Sequence, residues 1–413
     1  MAESLLNGLR ALDLTDEKGF ACGKILAALG VETIKVENPG GDPSRNIPPF
    51  LQDEKNPEKS LYWWAYNTDK RSITLNLDTN EGKSLFRKLV KGADFVIESF
   101  TPGHMDSLGL GYKDLKDINP GIIMTSITPF GQKGPYAHYK GSELIVSAMS
   151  GVMETNGDPD RAPVREGPDS VFFESNAAAV LGTIMAYNYR VISGQGQHVD
   201  VSQQEVAAKR GMVNISVWEA DRRLMKRNGP IRTFGSRSSK WIWPCKDGYV
   251  FWSFMGGKSG APANSALSKW LDEEGINSPF EQTTKWEELD MAAVSLETLA
   301  AHEAAITEFF SRYTKKEITE EGVRRGINAS AVNNAADILI YHQLQARNYW
   351  AEIDSTGSGR KLNYPKYFFL SNLTENYVRG RAPQIGEDND EIYVNQLGMS
   401  PADIAAYKEA GVI

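Results

Sequence analysis

Short strand-like runs at 9–14, 31–36, 95–98 and 122–127 alternate with segments of helical periodicity. That alternation constrains the fold more than any other feature. A strand, a helix and a second strand in sequence form a right-handed crossover, which leaves the strands parallel. The helix expected over 20–29 stops at Gly30. The helix expected over 81–92 carries Leu85, Phe86, Leu89 and Val90 on one face. The first part of the chain therefore reads as an open α/β sheet.

Residues 154–170 are rich in Gly, Pro and Asp and read as a loop. A long helix is expected over 174–193, packed through Ala178, Leu181, Ile184, Met185 and Tyr189, with a strand over 197–202. From about residue 225 the texture changes. Strands over 241–244 and 249–254 flank the turn at Lys246, Asp247 and Gly248, and helices are expected over 264–274 and 303–313. The division is a large domain over 1–215, a small α+β domain over 225–325, and a C-terminal segment over 330–413.

Composition closes off several classes. The 413 residues carry a net charge of −8, with 41% apolar and 24% charged residues. Nothing resembles a basic nucleic-acid face. Cys22 and Cys245 are the only cysteines, so neither a disulfide scaffold nor a cysteine zinc site is expected, and a reducing cytoplasm is. The start of the chain lacks the basic and apolar regions of a signal peptide, and no run of about 18 apolar residues predicts a membrane span.

Four blocks stand in order: Asp69-Lys70-Arg71-Ser72, Glu98-Ser99-Phe100-Thr101-Pro102-Gly103, Phe130-Gly131-Gln132-Lys133-Gly134-Pro135, and Gly194-Gln195-Gly196-Gln197-His198. With the opening strands and the final Ala410-Gly411-Val412-Ile413, they resemble the class III CoA-transferase family, which includes formyl-CoA and carnitine CoA-transferases and the α-methylacyl-CoA racemases. The resemblance implies a Rossmann-like large domain, a small α+β domain and an interlocked, ring-like dimer. It implies an acyl-CoA donor such as succinyl-CoA, a carboxylic acid acceptor, and no cofactor beyond the CoA thioester. It places CoA near Lys70, Arg71, Ser99, Phe100, Pro102 and Gly103, with Asn38 and Ser107 where relatives carry Arg.

In the family an Asp at the start of the long helix attacks the thioester. Aligning Gly182 and Gly194 with the family's helix glycines puts Phe172 at that position. A two-residue shift puts Glu174 there, and Asp169 lies in the preceding loop. The nucleophile is Glu174, Asp169, or absent. If absent, the chain is the non-catalytic partner in a heteromer like the benzylsuccinate CoA-transferases. Otherwise a homodimer is equally open. Tyr139 matches an active-site Tyr of formyl-CoA transferases, and Gly256 and Gly257 match a glycine loop that covers the nucleophile. Glu143, with His104 or His138, is the alternative of an acyl-CoA racemase. Aromatic residues in the matching segments, among them Phe172 and Phe173, lead us to expect a bulky, aromatic acyl acceptor.

Overall fold

The computed structural model describes residues 4–167, 169–234, 237–280, 284–290, 293–354, 359–375 and 377–413. The chain divides into two compact units. The first comprises Met1–Met153, Arg165–Leu224 and His342–Ile413; the second comprises Glu154–Val164 and Met225–Tyr341.

The first unit is built on six parallel strands: β1 (Arg10–Leu14), β2 (Glu32–Glu37), β3 (Arg71–Thr74), β4 (Phe95–Glu98), β5 (Ile123–Thr128) and β6 (His198–Ser202). Their order is β3-β2-β1-β4-β5-β6. This is the doubly wound order, and its reversal point lies between β1 and β4. The strands expected over 9–14, 31–36, 95–98 and 122–127 fall within about one residue of those bounds.

The helices of this unit up to residue 224 are α1 (Phe20–Ala28), α2 (Leu61–Tyr66), α3 (Asn80–Val90), α4 (His104–Ser107), α5 (Tyr112–Ile118), α6 (Glu143–Met149), α7 (Ser170–Ser193), α8 (Gln203–Ala208) and α9 (Met212–Asp221). Helix α3 follows its periodicity: Leu85, Phe86, Leu89 and Val90 are buried and Thr79 caps its start. One apolar core lies under α3 and α5 and takes in Ile392, Tyr393 and Ile404 from the C-terminal segment. A second joins α1, α7 and the other face of the sheet.

Helix α7 differs from expectation twice. It starts at Ser170, and its buried face is Ser175, Asn176, Ala179, Val180, Thr183 and Ala186. Leu181, Met185 and Tyr189, expected inside, are 62%, 64% and 54% exposed. Small side chains allow close approach to α1 and β5, and polar ones bond across it. Asn176 Oδ1 accepts the Cys22 amide at 2.8 Å, and Thr183 meets Thr125 at 2.7 Å.

The second unit contains β7 (Ile231–Phe234), β8 (Arg237–Lys240), β9 (Ile242–Cys245), β10 (Gly248–Phe251) and β11 (Ser330–Ala331), with α10 (Gly257–Glu273), α11 (Leu296–Ser311) and α12 (Lys315–Arg325). Strands β9, β10 and β11 form an antiparallel sheet. Its core is aromatic: Trp243, Trp252, Phe254, Trp270, Phe309 and Phe310 are all buried. Helices α10 and α11 start about seven residues before their expected bounds. The Gly-rich stretch after Phe254 is therefore an N-cap and a first helical turn.

Candidate active site

The carboxyl ends of β1 and β4 diverge at the reversal point, where open α/β sheets bind ligands. Ser99 and Asp16 lock these ends together. The Ser99 hydroxyl donates to Asp16 Oδ1 at 2.7 Å and accepts the Asp16 amide at 2.9 Å. Beside them is a cavity of about 390 Å³ lined by Asn38, Ser99, Phe100 and His104, with Asp16, Glu17, Lys35, Glu37, Asp42 and Asp78. Three of the residues expected at CoA, Asn38, Ser99 and Phe100, meet here.

The cavity's charge is the reverse of what a polyanion needs. Five carboxylates line it against one ammonium, Lys35, which is buried, paired with Asp42 at 3.2 Å and donates to the Thr15 carbonyl at 2.5 Å. Nearby Arg45 is spent on Glu37 at 2.6 Å. Lys and Arg make the strongest phosphate contacts, and the described residues lining this cavity contribute no uncommitted Lys or Arg.

Lys70 and Arg71, expected near CoA, are both held in ion pairs. Lys70 is buried, with its ammonium donating to Asp13 Oδ2 at 2.8 Å, the Phe20 carbonyl at 2.9 Å and Asn67 Oδ1 at 2.8 Å. All three of its protons are used. Arg71 bridges Glu32 at 2.8 Å and Asp388 at 2.9 Å, tying β3 to the C-terminal segment. Pro102 and Gly103 turn away from the acidic cavity into a separate one beside β5. Gly103 has φ 84° and caps α4, a conformation that favours glycine.

The start of α7 gathers the carboxylates. Glu174 is ion-paired with Arg210 at 2.5 Å, and Arg210 also holds Glu166. Asp169 is the N-cap, at φ 59°. Left-handed backbone at a residue other than Gly costs about 1 kcal/mol or more. Its Oδ2 accepts from the Tyr66 hydroxyl at 3.2 Å. The Tyr62 and Tyr66 rings pack at 4.9 Å. Burial first, then the Asp169 carboxylate, pushes both phenols up, so they stay protonated donors. Sequence reading did not anticipate this contact with Asp169, because Tyr62 and Tyr66 sit in an aromatic run that looks like core. Phe172 is buried in the first turn of α7.

Glu143 is buried, accepts the Val171 amide at 3.3 Å and pairs with Arg165 at 3.2 Å. It thus works as a structural tie at the start of α7. His104 packs against Phe100, with ring centroids 4.6 Å apart, and His138 is exposed. Tyr139 is 59% exposed and packs on Tyr136 at 5.1 Å. Gly256 and Gly257 lie in the second unit, where they open α10. Within that turn Gly260 is required, since a Cβ there would stand 1.8 Å from the Met255 carbonyl oxygen. Among the described residues no helix is long and apolar enough to cross a membrane.

Comparison with known proteins agrees with this fold. Residues 6–389 match the family model described as CoA-transferase family III. The chain is 32% identical to the succinyl-CoA:(R)-benzylsuccinate CoA-transferase subunit BbsE of Thauera aromatica, over 93% of this chain and 92% of that one. It is 29% identical to the succinyl-CoA–D-citramalate CoA-transferase of Chloroflexus aurantiacus, over 99% and 98% of the two chains. The crystal structure of a CaiB/BaiF family protein from Brucella suis superposes with a TM-score of 0.81 at 27% identity, covering 95% of this chain and 99% of that one. Matched along nearly its whole length in sequence and in fold, the chain belongs to CoA-transferase family III.

Proposed function

We propose that the chain is one half of a two-chain CoA-transferase that moves CoA from succinyl-CoA to a bulky carboxylic acid, and that its partner supplies the attacking carboxylate. One observation carries this reading. Alignment on the family's helix glycines puts Phe172 at the nucleophile's position, and the nearby Glu174 is ion-paired with Arg210. A carboxylate held by a guanidinium is a weaker nucleophile than a free one. The acidic cavity at Asn38 supports the same reading, since it offers CoA phosphates no uncommitted cation.

The relatives supply the chemistry. The benzylsuccinate and citramalate enzymes are named as succinyl-CoA-dependent, and the first is a subunit. A β subunit of a succinyl-CoA–L-malate CoA-transferase is also similar, at 26% identity. Exchange between a carboxylate and a thioester needs no resident cofactor. The exposed apolar face of α7, with Leu181, Met185 and Ile192, calls for cover by another chain, as in the interlocked dimer of the family. The two unpaired cysteines favour the cytoplasm.

The test is covalent trapping. The purified chain is mixed with succinyl-CoA, treated with hydroxylamine, digested and mapped by mass spectrometry. No modified carboxylate on the folded chain, with trapping restored in the assembled enzyme on the other subunit, is the expected result. A hydroxamate on Asp169 or Glu174 would overturn it and make this chain self-sufficient. Asp169 is the stronger of the two, with its left-handed backbone and the Tyr66 hydroxyl against it.

A further inference from the structure

Beside the β4-β5-β6 half of the sheet lies a second cavity of about 390 Å³. Three strands bring a row of polar side chains to its wall. Glu98 ends β4 and is in register with Ser126 on β5. Ser126 favours the charged form of the Glu98 carboxyl. Ser126 Oγ lies 2.8 Å from His198 Nε2 at the start of β6. The imidazole stacks on Tyr112 at 5.6 Å, and the Tyr112 hydroxyl is fixed by the Gly196 carbonyl at 2.8 Å. Glu98 is 4% exposed, whereas His198 reaches the surface. The row therefore runs from a buried carboxyl to solvent.

The same cavity holds a donor with nothing to donate to. The side-chain nitrogen of Gln132 is buried and has no partner. Its backbone amide is already used, held by Asp200 at 3.1 Å. Lys113 stands at the exposed rim. An amide donor and an ammonium converging on one space suit a carboxylate. A carboxylate entering beside Glu98 would be repelled unless Glu98 were neutral. A carboxyl and a carboxylate at close range share a proton.

We propose that this cavity binds a small carboxylate, and that binding is coupled to uptake of one proton by Glu98 through Ser126 and His198. The proton balance is simple. His198 takes a proton from solvent and gives its Nε2 proton to Ser126 Oγ, and Ser126 passes its own hydroxyl proton to Glu98. His198 ends neutral, protonated on Nδ1, with Nε2 accepting from the Ser126 hydroxyl, and the net change is one proton from solvent to Glu98.

The surroundings poise Glu98 for this. Burial, the largest influence, pushes its carboxyl up to about 7, Ser126 and the Phe100 amide pull it partly back, and Asp16 and Asp106 push it up again. The charged and titratable groups facing the row are Asp16 after β1, Asp106 on α4, Tyr112 and Lys113 on α5, Lys133 after β5 and Asp200 on β6. The site is independent of the question of which chain carries the nucleophile.

The experiment is titration calorimetry of the purified chain with succinate. It is run at about pH 6, 7 and 8, each in two buffers of different protonation enthalpy. Expected are proton uptake near neutrality and affinity falling toward tenfold per pH unit above about 7. Glu98→Gln should keep succinate binding while losing both proton uptake and pH dependence. Gln132→Leu should weaken binding at least about tenfold, as loss of a buried donor does. No succinate binding at tens of millimolar, or a Glu98→Gln protein with unchanged pH dependence, overturns the proposal. If Glu98→Gln does not fold, the natural protein decides: equal proton counts of zero at all three pH values overturn it.

Discussion

Lys70 and Asp13 face each other at 2.8 Å with both side chains fully buried. The pair stands under the first turn of α1, where Lys70 also caps the Phe20 carbonyl. Removing one member of a buried pair leaves a charge with no solvent and no counterion, at a cost of about 3–5 kcal/mol. We expect Asp13→Ala to lower unfolding stability by about that amount, measured by urea titration. Binding of CoA by the assembled enzyme should be unchanged wherever the protein is folded. A stable variant with weakened CoA binding would return Lys70 to the ligand site.

His302 gives the second unit a defined response to acid. Burial lowers its pKa to about 4 from the ordinary 6.5, and its ring is enclosed by Phe254 at 4.7 Å and Phe280 at 4.9 Å. The folded state favours the neutral ring. Its stability is therefore complete above the unfolded pKa and is lost as pH falls from 6.5 toward 4. The full loss is roughly 3 kcal/mol. Urea midpoints across this range should show that slope, and His302→Gln should flatten it. An unaltered slope in the variant would assign the acid response elsewhere.

In the assembled enzyme, Glu174→Gln and Asp169→Asn should each change kcat less than about threefold. An enzyme loses several orders of magnitude when its covalent nucleophile is removed. Steady-state kinetics on the co-purified subunits measures this. A hundredfold loss in either variant would place the attacking carboxylate on this chain.

Leu181→Asp and Met185→Lys are expected to leave the first unit folded and to dissociate the assembly. Both side chains are more than half exposed on α7, and a charge placed within an apolar interface is costly to desolvate. Sedimentation velocity reads the oligomer and circular dichroism the fold. Intact assembly in both variants would show that this face is not the contact.

The fold was more legible than the site, for physical reasons. Strands of a parallel sheet are buried on both sides, so β4 stands out as a short apolar run. Helix α3 has one apolar and one charged face, and its periodicity is plain. Helix α7 is apolar on several sides, so its large residues were assigned inward while its small ones make the contact. A sequence does not say whether a cation such as Lys70 is buried and paired. Glu98, Ser126 and His198 are far apart along the chain. Only strand order makes them neighbours.

The C-terminal segment has a consequence in time. Strand β3 is a sheet edge, and its outward amides at Ser72 and Thr74 are taken by the side chains of Asp388 and Asn389 at 2.9 Å each. Tyr393 then covers the Thr74 carbonyl at 2.7 Å. Synthesis runs from the amino end, so β3 leaves the ribosome more than 310 residues ahead of the groups that seal it. Throughout that interval the nascent chain carries an open strand, the kind of edge that pairs with whatever strand it meets. Completion of the sheet is thus a late event in translation, and a chaperone or a sister chain has that long to act on it.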